Sequence, residues 1–299
     1  MVEMQVAVDI LRLLFFPGII FMAFCGFLVL FLESRLRTAF YGGSDETRLH
    51  SLAAGGRKED IASAGELAAA ALSLAAMGVA GVMLIAVKGD LFSLALLFTA
   101  AEMLPLFLLA ASGNVDALRV PLFFRAAFYR MVALVCIVVS VSLRFPAAFS
   151  PGLESFREEG AFSAVQLWSG TAFGLILASL VCAVLAFCVM LLGRPVCGER
   201  PRPGEGGAIG EFYALAAGGA HRAASLLLLV LLFLGYPWDG LYGLLTWAAA
   251  ALGSALVLTV LRAWLEGRDV LAVRKLQAAS ISLALLSLAL AVAAVVISG

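Results

Sequence analysis

The sequence predicts an all-α protein that crosses a membrane several times, with residues 1–299 forming a single membrane domain. Of the 299 residues, 63% are hydrophobic and only 13% are charged, and the mean hydropathy is +1.06. A soluble domain cannot bury that much apolar surface, whereas a helical bundle in a bilayer exposes it to lipid. The formal net charge of zero argues against a nucleic-acid partner.

Eight apolar runs are each long enough to cross a bilayer as a helix, which takes about 20 residues. The fifth is too long for one straight crossing, so we expect it to tilt or to extend past the membrane. In the sixth, Gly218 and Gly219 interrupt the pattern and Arg222 lies inside it. The first is no cleavable signal peptide, because it ends in charged residues. The runs lie approximately at 13–33, 66–87, 91–111, 122–143, 163–192, 211–234, 240–263 and 276–298.

The distribution of cations predicts the orientation. Alternate loops and their flanking helix ends hold 16 of the 20 Lys and Arg residues, and the other side holds only Arg12, Lys88, Arg144 and Arg157. Because cytoplasmic loops carry the excess of cations, both termini are expected outside. The predicted cytoplasmic loops are approximately 34–65, 112–121, 193–210 and 264–275. Three of them are long and polar, so a docking partner is expected in the cytoplasm.

Common cofactor motifs are missing from the chain. It has no Walker A loop, no GxGxxG after a strand and no HExxH, and its five cysteines show no CxxC spacing. Four of those cysteines lie inside predicted spans, where packing is their expected role. His50 and His221 are too far apart in sequence to suggest a shared site. We therefore expect no cofactor or metal in this chain, and any redox group in a partner.

Glu102 is the most informative polar residue, because it lies near the middle of the third run. At that position it would sit roughly 15 Å from either interface and cost about 2.5–3.5 kcal/mol to insert. Such a residue marks an ion or proton path, or it is a hydrogen-bonded structural acid that desolvation keeps neutral. Glu33, Glu66 and Glu211 lie at the ends of spans, where they reach a carboxylate path or extend to interfacial water.

Several segments resemble the motifs of one protein family, and they follow one another along the chain in the same order as in that family. AEMLPLFLLAASGNVDAL (101–118) resembles the "aELaf.LAg.aSGNpyAL" stretch of complex I subunit 1 and of its homologues in group 4 membrane-bound [NiFe] hydrogenases and formate hydrogenlyases. Four further segments are similar to other family motifs, and none of the motifs is specific alone. They are LFLESRLRTAFYGG (30–43), RLHSLAAGGRKEDI (48–61), LLGRPVCGERP (191–201) and RAWLEGRDVLAVRKLQ (262–277).

The resemblance implies a membrane-anchoring and coupling subunit of an energy-converting hydrogenase in a prokaryotic cytoplasmic (inner) membrane. Its partners would be an iron–sulfur-cluster-bearing small subunit, a hydrogenase-like large subunit with a [NiFe] centre, and antiporter-like membrane subunits. By position in the motifs, Glu33, Glu102 and Glu211 would belong to an ion-coupling path for H⁺ or Na⁺. The residues that would dock the peripheral arm are Arg35, Arg37, Lys58, Glu59, Arg194 and Arg268.

The chain also departs from the family pattern. The family's "EYSG" falls near Gly219-Ala220-His221-Arg222 and its "sYE" at Tyr129-Arg130, so two glutamates are absent. These losses argue against an ordinary quinone site and favour the hydrogenase-type branch. Three alternatives remain: a quinone-site subunit of a donor:quinone oxidoreductase, a secondary ion transporter, and a structural assembly factor. A transporter often shows internal repeats with broken helices, and the sequence shows no such repeat.

Overall fold

The computed structural model describes residues 8, 10–11, 13–15, 18–41, 64–86, 89–111, 120–144, 153, 168, 170–192, 208–235, 240–266 and 273–298. This part of the chain forms eight long helices and contains no β-strand. In chain order the helices are α1 (Ile19–Tyr41), α2 (Ala64–Ala86), α3 (Leu91–Ala111), α4 (Val120–Ser142), α5 (Gly170–Leu192), α6 (Ala208–Leu234), α7 (Gly240–Glu266) and α8 (Val273–Ser298).

Six of the eight helices are long and apolar enough to cross a membrane, which confirms a multi-pass helical membrane protein. They are α2, α3, α4, α5, α6 and α8. In α7 the described apolar stretch, Ala249–Arg262, is shorter. The count of eight spans and the outside position of both termini stay predictions.

The helices follow the predicted runs, with differences at their ends. The first predicted span starts at residue 13, but α1 begins at Ile19 and continues to Tyr41. The long fifth run contains the 23-residue helix α5, which begins at Gly170 with a φ of +62°. The helices also extend a few residues into the predicted cytoplasmic loops. Helical hydrogen bonding saturates the backbone in lipid and in water alike, so a change of side-chain polarity alone does not end a helix.

Helix α6 is the central helix of the bundle. Of its apolar stretch Leu215–Leu234, 83% is buried, against 28–44% for the other five apolar stretches. It packs against α1 and α2 over most of its length and also contacts α5 and α7. Gly218 and Gly219 do not break it: α6 is continuous from Ala208 to Leu234. The described polar side chains of α6, His221, Arg222 and Ser225, therefore face protein, not lipid.

Gly219 lies where α6 approaches α1 most closely. A Cβ on Gly26 of α1 would stand 2.3 Å from the backbone nitrogen of Ala220, and a Cβ on Gly219 would stand 2.8 Å from the carbonyl carbon of Gly26. Membrane helices pack closely through small residues because lipid supplies no hydrophobic drive for association. Gly219, one of the two glycines that interrupt the apolar pattern of the sequence, thus permits a close helix crossing.

Helices α5 and α8 form the most extensive pairing in the bundle, and α8 also packs on α4. Buried small side chains, among them Ala183, Ala186, Ala284 and Ala291, allow the close approach. Ser280 Oγ donates a hydrogen bond to the backbone oxygen of Ala186 at 3.0 Å. Together α4, α5 and α8 make one side of the bundle, and α1, α2, α6 and α7 make the other, with α3 between α2 and α4.

Candidate functional site

Glu102 pairs with Arg130 inside the bundle. Arg130, on α4, donates from Nε to Glu102 Oε2 at 2.9 Å, and the two side chains are only 16% and 15% exposed. A nearby guanidinium stabilises the carboxylate form by Coulomb attraction. The structure thus gives the Glu102 carboxylate a basic partner inside the bundle.

His221, on the central helix α6, contacts the other oxygen of the same carboxylate. His221 Nε2 lies 3.4 Å from Glu102 Oε1, and the histidine is 6% exposed. Phe98, one helical turn before Glu102, packs edge-on against the imidazole, with ring centroids 5.2 Å apart and planes at 85°. The carboxylate is therefore shared between a guanidinium and an imidazole from two different helices.

Glu33 and Arg222 form a second ion pair beside the first. The Arg222 guanidinium donates from Nη1 to Glu33 Oε2, which joins α6 to α1. Because Arg222 follows His221 directly in the chain, the two pairs meet on neighbouring residues of α6. We call Glu33, Glu102, Arg130, His221 and Arg222 the charged cluster. It contains two of the three predicted path residues, Glu33 and Glu102, and connects α1, α3, α4 and α6.

The central position of Glu102 in α3 predicts a cluster at the middle of the bundle. The charged cluster instead lies closer to one end. Arg130 lines a small cavity together with Met190, Gln277 and Ser280. Met190 is in the last turn of α5, and Gln277 is in the second turn of α8. The Glu102–Arg130 pair is therefore level with the ends of those two helices.

This cavity has a volume of about 10 Å³, which is the size of about one water molecule, and its lining is mainly apolar. Within the described part of the chain, neither Arg130 Nη1 nor Gln277 Nε2 has a hydrogen-bond partner. Ser280 and Tyr129 also line it. Two of the side chains that line the cavity therefore carry a donor without a partner in this part of the chain.

A second space, a cleft of about 40 Å³, lies beside the Glu33–Arg222 pair. Arg262 of α7 lines it with Thr259, and apolar residues of α5, α6 and α7 complete its walls. Two guanidiniums and one carboxylate therefore face one partly open cleft. The cleft connects the charged cluster to α7, the helix whose end carries the last of the family-like segments.

The other predicted site residues are mostly outside the described residues. Arg35 is described: it is exposed on α1, and its guanidinium lies over the Phe31 ring, 5.1 Å from the centroid. Glu211 and Arg37 lie on α6 and α1, but their side chains are not among those described. The predicted docking residues Lys58, Glu59, Arg194 and Arg268 also lie outside the described residues.

Sequence reasoning missed the three basic partners of the carboxylates. It placed Arg130 where the family has a glutamate, noted Arg222 only as a charge inside the sixth run, and found His221 too far from His50 to share a site. The available signal was that all three bases lie inside apolar runs, where an unpaired cation is costly. The eight runs also hold four carboxylates, Glu33, Glu66, Glu102 and Glu211, so pairing could be expected, but not which pairs form.

A separate polar cluster joins α4, α5 and α8. The hydroxyls of Ser140, Ser179 and Ser287 lie within 3.2 Å of one another, and Ser179 and Ser287 each donate to the other's backbone oxygen. Arg144, just beyond the end of α4, is fully buried and donates from Nη2 to Ser179 Oγ at 3.1 Å. Burial lowers the pKa of Arg144 to about 9, so it stays a cation at neutral pH.

The described residues contain no group of three or more His, Cys, Asp or Glu side chains that could hold a metal ion. The charged cluster instead combines two carboxylates, two guanidiniums and one imidazole. Comparison with protein-family models, curated proteins and solved structures finds no match to this chain.

Proposed function

We propose that this protein is the membrane-anchoring and coupling subunit of a complex-I-like energy-converting hydrogenase in a prokaryotic cytoplasmic membrane. In this role it docks the cluster-bearing peripheral arm and links electron transfer to the movement of H⁺ or Na⁺. The observation that carries the proposal is the charged cluster, which brings the family-like glutamates Glu33 and Glu102 into one buried network.

The departures from the family pattern support this proposal once their contacts are considered. Arg130 stands where the family has a glutamate, and His221-Arg222 stand near another. These bases contact the two retained carboxylates, so the charges that changed sign have partners of the opposite sign. Charged residues thus remain paired at these positions although bases have replaced some of the family's glutamates. We infer that the function requires charge there.

The depth of the cluster agrees with a coupling role. The end of α5 and the start of α8, which mark its level, are on the cytoplasmic side in the orientation that the cation count predicts. A peripheral arm docked on that side would stand near the cluster. A change of charge in the arm could then act on it across a short, poorly screened distance.

Two of the alternatives receive less support. Secondary transporters often have helices that are broken at the substrate site. In this protein α6 is continuous through Gly218 and Gly219. An assembly factor does not account for two ion pairs buried in a bundle, where replacing such pairs with apolar residues is often neutral or stabilising. The quinone-site reading shares the same subunit position and differs in the electron acceptor.

The direct test is purification of the tagged protein from its native membrane in a mild detergent. We expect a cluster-bearing small subunit, a [NiFe]-type large subunit and antiporter-like membrane proteins to co-purify with it. Enrichment of a quinone-reducing complex without a hydrogenase large subunit would favour the quinone-site reading. Isolation of a lone, transport-active homodimer would refute the proposal.

A further inference from the structure

We infer that the small cavity between α4, α5 and α8 binds a single water molecule, which joins Arg130 of the charged cluster to Gln277 of α8. Residues of all three helices line the cavity, and its volume is about 10 Å³. A buried water needs about that much room and about two to four polar partners. The binding site follows from these side chains, whereas its part in coupling rests on the function proposed above.

Two buried N–H groups at this cavity need an acceptor. Among the side chains that the structure describes, nothing accepts a hydrogen bond from Arg130 Nη1 or from Gln277 Nε2. Gln277 is only 9% exposed, so bulk water does not supply the missing partner. A buried donor without a partner is destabilising. Because both residues line a cavity of the size of one water, a molecule placed there contacts both side chains.

The third polar group selects water over an ion. Ser280 also lines the cavity, and its Oγ donates its only proton to the backbone oxygen of Ala186 at 3.0 Å, so it can only accept from another partner. The ligand must therefore accept from Arg130 and Gln277 and donate to Ser280, and water does both. A halide only accepts, and it would add a second anion to a guanidinium that already holds the Glu102 carboxylate.

The position of the cavity gives the water a structural consequence. Gln277 lies in the second turn of α8, which begins at Val273, close to the predicted cytoplasmic loop 264–275. A water at this level exchanges with the cytoplasm without crossing the hydrocarbon core. It also connects the start of α8 to Arg130, which holds Glu102. In the proposed complex, a shift of this loop on docking of the peripheral arm would reach the ion pair through one hydrogen-bonded molecule.

The chain offers a specific test because it contains only three glutamines, Gln5, Gln166 and Gln277. A full-length variant with Gln5→Asn and Gln166→Asn, labelled with ¹⁵N in its glutamine side chains and placed in lipid nanodiscs, reports on Gln277 alone. We expect magnetisation transfer from water to the Gln277 side-chain NH₂ protons. It is measured in the rotating frame, where a dipolar contact and chemical exchange have opposite signs. Absence of a dipolar transfer would overturn the inference.

A matched pair of substitutions in α5 tests whether the water lies in this cavity. Val189 lines the cavity, and Val189→Ile adds one methyl group to fill it. We expect most of the transfer to be lost, although the Ser280 hydroxyl that could relay it remains in place. Val181→Ile, at a position of the same helix that is 47% exposed, should keep the transfer. A full signal in a folded Val189→Ile variant would contradict the assignment.

Thermal unfolding in detergent gives an independent readout through the sign of one substitution. If Gln277 Nε2 is bonded to a water, Gln277→Leu should lower the melting temperature by about 2 °C or more. If the amide has no partner, an apolar side chain of similar shape is neutral or stabilising there, and this result would overturn the inference.

The identity of the ligand is tested by replacing chloride with gluconate at constant ionic strength. The magnetisation transfer and the melting temperature of the protein should both stay unchanged, because water occupies the cavity in either buffer. Loss of the transfer or a lower melting temperature without chloride would show that a halide is part of the site, and the assignment to water would fail.

This outcome is separable from the proposed function. If the Gln277 signal shows the bound water but no hydrogenase-type partner co-purifies, the water site stands and the proposed function fails. If the complex is found but no water contacts Gln277, the docking role stands and the water site fails.

Discussion

At the scale of single residues, Glu102 carries the largest energetic consequence because both of its oxygens are engaged. Arg130 holds one oxygen at 2.9 Å and His221 contacts the other at 3.4 Å. Removing one member of a buried pair leaves its partner desolvated without compensation, which costs about 3–5 kcal/mol in soluble proteins. Removing both members costs much less. The carboxylate and the guanidinium should therefore behave as one unit.

A double-mutant cycle tests this coupling. We expect Glu102→Gln and Arg130→Gln each to lower the thermal stability of the purified protein in detergent. The double variant should be more stable than the sum of the two losses predicts, with a coupling energy of about 1–3 kcal/mol. Additive effects would show that the two side chains do not act on each other. Ser298→Ala, at the exposed end of α8, serves as the control.

Asp90 offers a pH-dependent prediction outside the membrane-spanning helices. It precedes α3, and its carboxylate accepts hydrogen bonds from the Ser93 hydroxyl at 2.5 Å and from the Ser93 backbone N–H at 2.7 Å. The hydroxyl and then the backbone hydrogen bond hold the pKa of Asp90 below its ordinary value. Asp90 therefore acts as the N-cap of α3.

Because the folded pKa is depressed, this stabilisation is present above the unfolded pKa of about 3.9 and is lost as the pH falls through the folded value. We expect Ser93→Ala to lower the stability at pH 7 by about 0.5–1 kcal/mol, since solvent screens the exposed carboxylate. The difference between the variant and the wild type should shrink in acid, when unfolding is followed by melting temperature. An equal difference at every pH would contradict the assignment.

The residue-level identity of the charged cluster could be predicted only in part. Glu102 was identifiable because its apolar flanks are long, and Glu33 because of its family-like segment. Their basic partners could not be identified from the sequence, because Arg130 is 28 positions from Glu102 and Arg222 is 189 positions from Glu33. The rotation and tilt of each helix decide which polar side chains meet. An almost uniformly apolar helix shows little periodicity from which to read that rotation.

At the scale of elements, the helix positions follow from apolar length, whereas the contacts between helices follow from small residues. The doubled glycine of α6 was expected to interrupt a span, because glycine is a poor helix former in water. In the bundle Gly219 permits the crossing with Gly26 of α1, and the helix continues. The intrahelical hydrogen bonds are costly to break in a dry environment, so they hold α6 together through the glycines.

Glycine-to-alanine substitutions test the crossing against matched positions. Gly26→Ala would place its Cβ 2.3 Å from backbone atoms of Gly219 and Ala220, which cannot move aside as a flexible side chain could. We expect a destabilisation of about 1–3 kcal/mol from overpacking, measured by thermal unfolding in detergent.

Gly174→Ala in α5 and Gly253→Ala in α7 are the matched controls, because nothing lies within 4 Å of a Cβ at either position. There alanine should be neutral or stabilising by up to about 1 kcal/mol. Equal effects at Gly26 and at the two control positions would mean that α1 and α6 do not cross closely at Gly26.

At the scale of the whole molecule, composition predicted a multi-pass helical bundle, and six sufficiently apolar helices confirm that class. Composition could not predict that α6 would be the buried centre, because α5 and α8 have apolar stretches of higher hydropathy than that of α6. The central helix is distinguished by its small and polar residues, which need protein neighbours. The histidine and the arginine of α6 accordingly lie where α3 and α1 supply carboxylates.

We propose that the charged cluster couples ion movement to electron transfer in a larger complex. The most direct measurement compares wild-type and Glu102→Gln complexes in sealed vesicles, recording ion uptake and electron transfer to a soluble acceptor in the same sample. Both rates are normalised to the amount of assembled complex, and Gly174→Ala serves as the control. We predict that Glu102→Gln greatly reduces ions moved per electron and largely preserves electron transfer. An unchanged ratio in a fully assembled Glu102→Gln complex would contradict the claim.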